Sequence, residues 1–337
     1  MRHWQQLSIE DRLDVIEITS AKKHLPQLAV EKDWWVTMVL KALSNSRHFR
    51  LMSFKGGTSL SKGWNLINRF SEDIDIALRR EGLFSISSTS GNQLAKARRT
   101  TRHYIVRELP SELAEALKAM DIVDFSVEPV TTRTDALGNT TELCATTHPS
   151  TVFVHYKSIL PDVSEYIEPK VKIEISCLSM DEPVENKTIR SFMADVLSEE
   201  EDVEVIFPTV VPTRTFLEKI FLLHEEFQKE KPRSKRMSRH LYDIEKIMDT
   251  EFGKSIEDRE LYENVVRHRS VFNKIEGVDY KMHNPSLLSF IPPENAIADW
   301  KKDYESMQKH FIHDDHSLAF EDLMQRMKEL MERIRNV

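Results

Sequence analysis

The chain has few glycines, almost no cysteine, no long apolar run and no excess of positive charge. Each shortage excludes something. Its 337 residues include two cysteines, Cys144 and Cys177, far apart and in no metal-ligand spacing, so they are expected as free or buried thiols rather than a disulfide framework. No apolar run approaches the roughly 20 residues that span a bilayer. The first residues, MRHWQQLSIEDRLDVIE, are charged too early for a secretory signal, which gives the expectation of a cytoplasmic protein with no membrane partner. The formal net charge of −8 does not advertise a nucleic-acid binder, although local patches matter more than the sum. The richest basic window, KEKPRSKRMSRH over 229–240, sets Lys229, Lys231, Arg233, Lys235, Arg236 and Arg239 against Glu230. It reads either as a solvated loop between helices or as a contact for RNA or nucleotide phosphates.

What remains is 40% hydrophobic and 30% charged, an ordinary globular mixture long enough for two domains. Of only eight glycines, two stand side by side, Gly56-Gly57, followed by Thr58 and Ser59. A tight Gly-Gly turn lets backbone N–H groups approach a ligand closely. The apolar spacing then predicts a helix over 59–67, whose N-terminus would favour an anion. Asp73-Ile74-Asp75-Ile76 reads as a strand over 73–78, with both carboxylates on one face and both isoleucines on the other. Phosphate-cradling amides beside paired carboxylates suit Mg²⁺-dependent chemistry on a nucleotide. A P-loop is excluded by spacing: Gly57 and Gly63 are one residue too far apart, and Trp64 stands where the lysine belongs. A third carboxylate is sought on a neighbouring strand. Glu174, in the alternating run 171–176, is nominated, with Asp124 as the weaker candidate.

Elsewhere the pattern predicts helices over 8–24, with Ser8 and Asp11 forming a capping box, and over about 28–43, with Trp34 and Trp35 in the core. A short strand covers 51–54, and 91–117 is mostly helical. Strand-like runs occupy 122–130, 151–156, 171–178 and 203–207, with a hairpin signal at 135–139. From Thr213 onward the pattern is almost wholly helical, including helices over 215–227 and 239–248. An apolar stripe from Phe320 to Ile334 reads as core or partner-helix packing, not a cofactor box. The boundary is placed near 210, giving domains 1–210 and 211–337.

Five ordered blocks within about 28–250 resemble one known family. They are Glu31-Lys32-Asp33-Trp34-Trp35, Phe54-Lys55-Gly56-Gly57-Thr58-Ser59-Leu60, Arg69-Phe70-Ser71-Glu72-Asp73-Ile74-Asp75-Ile76, Arg214-Thr215-Phe216-Leu217-Glu218-Lys219 and Arg239-His240-Leu241-Tyr242-Asp243-Ile244. Together they look like the signature of the AbiEii/AbiGii nucleotidyltransferase toxins, which include the MenT toxins. The resemblance implies an α/β (α+β) chain with a DNA polymerase β-like nucleotidyltransferase fold, a mixed sheet and a helical C-terminal domain. It implies transfer of NMP from an NTP, with Mg²⁺ or Mn²⁺, to an acceptor such as the 3′ end of tRNA, and a cognate antitoxin. Carried over by position, Gly57 and Ser59 would hold the triphosphate and Asp73 and Asp75 the metals. Lys219 and Asp243 would match the family's downstream lysine and aspartate. Gly56 and Thr58 belong to the same cradle, and Lys55 and Arg69 are further phosphate-contact candidates. Glu174 or Asp243 would help orient or deprotonate the acceptor hydroxyl, and Lys219 or Arg239 could partner Asp243. Two other readings stay open: transfer to a protein or small-molecule hydroxyl, and a non-catalytic nucleotide-binding module.

Overall fold

The computed structural model describes residues 3–79, 91–135, 137–161, 167–179, 182–197, 203–314 and 316–336. It forms two compact units, Met1–Gly63 with Phe70–Val210, and Trp64–Arg69 with Val211–Val337.

The first unit opens with α1 (Ile9–Lys23): Ser8 caps it as expected, its Oγ accepting from the Asp11 amide at 3.1 Å, while the Asp11 carboxylate accepts from the Ser8 hydroxyl at 2.6 Å. Then come α2 (Gln27–Ser44), β1 (Met52–Lys55), α3 (Gly56–Lys62), β2 (Ile74–Leu78), α4 (Gly91–Arg107) and α5 (Leu109–Ala119). The strands β3 (Phe125–Pro129), β4 (Thr132–Thr134), β5 (Thr140–Glu142), β6 (Ser150–Tyr156), β7 (Lys170–Ser176), β8 (Val184–Arg190) and β9 (Glu204–Val210) complete it. Seven strands make one mixed sheet in the order β3-β6-β7-β2-β1-β9-β8. In it β1 pairs antiparallel with β2 but parallel with β9, and β2 pairs parallel with β7. Helix α2 packs on β7, β9 and α5 and is buried nearly throughout. Trp34 and Trp35 are core residues: Trp34 meets Trp4 at 4.9 Å between ring centroids, and Trp35 stacks on Tyr156 at 4.7 Å.

One expectation needs correction, and one strand was not foreseen. The helix read over 59–67 is α3: it begins at Gly56 and stops at Lys62, and Asn65 beyond it is left-handed at φ +52°. Its glycines are therefore a strand-to-helix junction rather than a free-standing turn. The stretch 91–117 is mostly helical as expected, divided at Glu108 into α4 and α5. Strand β8 was not expected at all; it is a mostly exposed edge strand, VENKTIR, with no apolar alternation to announce it. The hairpin signal at 135–139 joins β4 to β5, with Ala136 itself outside the described residues. Cys144 is exposed and Cys177 buried, and neither is in a disulfide.

The second unit holds α6 (Pro212–Phe227), α7 (Arg239–Ile247), α8 (Arg259–Phe272), α9 (Ile297–His310) and α10 (Phe320–Arg335). Pro212 starts α6 where its missing N–H costs nothing. The stripe from Phe320 to Ile334 on α10 is buried, and α10 packs on α7 and α9. The short 64–69 segment is built into this unit. The Asn68 amide donates to Tyr242 Oη at 3.3 Å, Asn68 O accepts from His313 N at 3.0 Å, and the Trp64 ring meets Phe252 at 5.1 Å. Inside the unit, buried Glu225 accepts from Arg269 at 2.8 and 2.5 Å. Among the described residues no helix is long and apolar enough to cross a membrane.

Candidate active site

In the first unit the sheet register brings several candidates into one row. Lys55 lies opposite Asp75, Asp75 opposite Glu174, and Glu174 opposite Thr151. Residues opposite each other in neighbouring strands share a face, with Cβ atoms about 5 Å apart. Asp73 immediately precedes β2 and by alternation takes the face of Asp75. Asp73, Asp75, Glu174 and Lys55 are all half-buried, between the core and solvent. Glu174 also pairs with Lys172 at 3.1 Å. Asp124 is not brought to this row. It is exposed at the entry to the outermost strand, β3, three strands from β2, in a left-handed conformation at φ +59°.

The glycine junction and the carboxylate strand are fitted to each other. Gly56 has φ +81°, which L side chains rarely adopt, and a Cβ there would lie 2.1 Å from Asp75 Oδ2. The carboxylate thus occupies the space that glycine leaves. Thr58 Oγ1 reaches the Asp73 carbonyl at 2.5 Å and Ser71 Oγ at 2.9 Å. Ser59 Oγ donates to the Gly56 carbonyl at 2.9 Å. Both hydroxyls are buried and serve the local fold, so the anion-facing groups left to α3 are its first-turn amides, which have no intrahelical partner. Lys55 precedes the helix in extended conformation, and its Nζ donates to Ser179 Oγ at 3.3 Å. Burial, then the charges of Arg98 and Lys55, lower nearby His148 to about 4, so it is neutral at pH 7.

Among the described residues no group of three or more His, Cys, Asp or Glu side chains forms a ready-made metal cage. Mg²⁺ does not require one, because it is commonly held by one or two carboxylates together with substrate phosphates. Two carboxylates on one strand face fit that mode.

The block Glu31-Lys32-Asp33 turns out to be buried bracing, which its charged sequence hid. Glu31 accepts from Ser158 Oγ at 2.5 Å and the Ile159 amide at 3.0 Å. Lys32 pairs with Glu72 at 2.7 Å, and Asp33 with Lys62 at 2.6 Å.

In the second unit the downstream candidates form one cluster. Asp243, fully buried on α7, accepts from Arg69 Nε at 2.6 Å and Nη2 at 2.8 Å, and pairs with Lys219 Nζ of α6 at 2.8 Å. Burial works against the Asp243 charge, but Arg69 and Lys219 outweigh it and hold the carboxyl far below the ordinary range. Burial lowers the Lys219 ammonium below the usual lysine value, against the pull of Asp243. Neighbouring His240 is held well below the ordinary histidine value by burial, then by the charges of Lys219 and Arg239. The geometry bears on two of the expected site residues. Arg69 is 4% exposed and held in a bidentate pair with Asp243. Asp243 is fully enclosed, and its two cationic partners favour its ionised form. In the basic window, Lys229 and Arg233 fold back on Glu226, at 2.6 and 2.7 Å, while Lys231, Lys235 and Arg236 are exposed.

The chain is a nucleotidyltransferase: the family model described as Nucleotidyl transferase AbiEii toxin, Type IV TA system, matches residues 39–326. It belongs to that family of toxins, each the toxic member of a toxin–antitoxin pair. Among solved structures it is similar to MenT4, a nucleotidyltransferase toxin from Mycobacterium tuberculosis H37Rv, with 14% identity and a TM-score of 0.44 over 95% of this chain and 99% of that one. No curated protein sequence matches it significantly.

Proposed function

We propose that the chain moves a nucleoside monophosphate from an NTP to the 3′ hydroxyl of an RNA, with the 3′ end of tRNA as the expected acceptor. The observation that carries this reading is the fit of Asp75 against Gly56, with Glu174 opposite it in the next strand. It sets carboxylates and helix amides at one place, as the handling of a metal-bound triphosphate needs.

In this reading Asp73 and Asp75 would hold Mg²⁺ or Mn²⁺, which would supply charge neutralisation at the phosphates. The first-turn amides of α3, at Gly56, Gly57, Thr58 and Ser59, receive the triphosphate, and Lys55 adds a positive charge from the opposite strand. The acceptor oxygen bonds to the α-phosphorus as the bond to the bridging oxygen breaks, and pyrophosphate leaves. Glu174 orients the acceptor hydroxyl and takes its proton. The protein's part is mainly positioning and charge neutralisation. Lys219 is the family-position cation of the second unit, and Asp243 keeps Lys219 and Arg69 oriented.

The test is incubation of wild type and Asp75→Ala with each labelled NTP and separate pools of cellular RNA, protein and metabolites. Label on RNA 3′ ends with wild type alone supports the proposal. Label on protein or metabolites transfers the activity to another hydroxyl class. Equal growth arrest by both proteins with no label anywhere favours a non-catalytic binding module. Full transfer by a folded Asp75→Ala protein would sink the mechanism.

A further inference from the structure

Two consecutive residues of α2 each bury a charge against the segment that carries the candidate carboxylates. Lys32 Nζ donates to Glu72 Oε2 at 2.7 Å, with the two side chains 5% and 9% exposed. Asp33 accepts from Lys62 Nζ at 2.6 Å through one oxygen and from the Phe192 amide at 2.6 Å through the other. Lys62 is the last residue of α3, and Glu72 directly precedes Asp73. Helix α2 therefore grips the end of the glycine-opened helix and the entry to the carboxylate strand. Successive helix residues diverge by about 100°, which lets one element reach both. The gripped pieces are also tied to each other through Thr58.

Stability alone is a poor reason for such a pair. Taking two charges out of water cancels most of their attraction, and apolar side chains of similar volume often serve a core as well or better. What a buried pair adds is direction, because its hydrogen bonds are met in one arrangement. By strand alternation Glu72 takes the inner face, with Ile74 and Ile76, while Asp73 takes the face of Asp75. Fixing Glu72 inward therefore fixes Asp73 outward. Lys32 also cancels a negative charge that would otherwise adjoin Asp73.

We propose that Lys32 and Glu72 are positioning residues for nucleotidyl transfer: their buried pair sets the backbone that aims the Asp73 carboxylate. The inference rests on the assignment of Asp73 as a metal-holding carboxylate.

The test uses full-length Lys32→Met/Glu72→Leu, an apolar pair of similar volume. Its melting temperature is expected to equal or exceed that of wild type. Binding of Mn²⁺ alone, followed by electron paramagnetic resonance, is expected to weaken at least tenfold, and kcat to fall at least tenfold at saturating metal. Lys32→Arg, which keeps the charge pair, is expected to retain most of both. A folded double variant with wild-type Mn²⁺ binding and transfer overturns the proposal. Should the double variant fail to fold, Glu72→Gln carries the same readouts, and wild-type values from it overturn the proposal equally. Asp73→Ala run alongside separates the two levels. If it loses Mn²⁺ binding while the apolar pair changes nothing, the positioning role alone fails. If Asp73→Ala binds and transfers normally, the assignment of Asp73 fails and takes the positioning role with it.

Discussion

Replacing Gly56 by alanine should disable the enzyme more than it destabilises it. The added Cβ would lie 2.1 Å from Asp75 Oδ2, whereas ordinary van der Waals contact begins near 3.4 Å. The carboxylate must therefore retreat by about 1.3 Å, or the junction must shift by as much. Rotation of the carboxylate relieves the Oδ2 clash, but Asp75 Cγ at 2.9 Å and Cβ at 3.1 Å are crowded too, so the junction must also give by a few tenths of an ångström. The fold bears that adjustment and the left-handed backbone, φ +81°, which costs an L residue roughly 1–2 kcal/mol. Catalysis bears the displaced carboxylate, and a misplacement of about 1 Å can cost on the order of 100-fold in rate. That is about 2.7 kcal/mol of transition-state stabilisation. The assay is NMP incorporation from a labelled NTP, alongside urea denaturation of the same preparation. Gly91→Ala is the control, because its Cβ would meet nothing within 4 Å among the described residues. Transfer by Gly56→Ala within threefold of wild type would refute the argument that Asp75 needs the space glycine leaves.

Asp243→Asn should destabilise the chain strongly, because it removes the buried negative charge that Arg69 and Lys219, 4% and 7% exposed, both pair with. Breaking such a buried pair typically costs about 3–5 kcal/mol, and a urea-denaturation loss below about 1 kcal/mol would contradict the cluster described. Glu226→Gln tests a pH dependence. Burial pushes Glu226 up, but Arg233 and Lys229 outweigh it and hold the carboxyl at about 2, against an ordinary 4.5. A folded value below the unfolded one means that the stabilisation is complete above about 4.5 and is lost as pH falls through about 2. The variant should therefore be less stable than wild type at neutral pH, with the gap closing across that acid window. A gap that stays constant from pH 7 to pH 2, read by urea denaturation, would refute it.

The parts legible in the sequence were those whose physics is local. Gly56-Gly57 and Asp73-Ile74-Asp75 announce themselves within a few residues, through backbone freedom and a two-residue period. The Ser8 cap and the α10 stripe are of the same kind. Lys32 and Asp33 were opaque because their partners are distant along the chain: Lys32 finds Glu72 40 residues on, and Asp33 finds the Phe192 amide 159 residues on. A charged triplet on a helix looks like a solvated face until those partners are known. The bidentate pairing of Arg69 was opaque for the same reason, its carboxylate lying 174 residues away. Strand β8 was hidden because an exposed edge needs no apolar alternation.

The 64–69 segment, built into the second unit though it lies early in the chain, sets a schedule for synthesis. Arg69 emerges from the ribosome 174 residues before Asp243. At roughly 5–20 residues per second, it waits about ten to thirty seconds for the carboxylate that will bury it. During that interval the nascent chain already holds Gly56, Asp73 and Asp75, yet the Arg69–Asp243–Lys219 cluster cannot exist. A host that makes this toxin therefore meets its completed charge cluster only once about three-quarters of the chain has been translated.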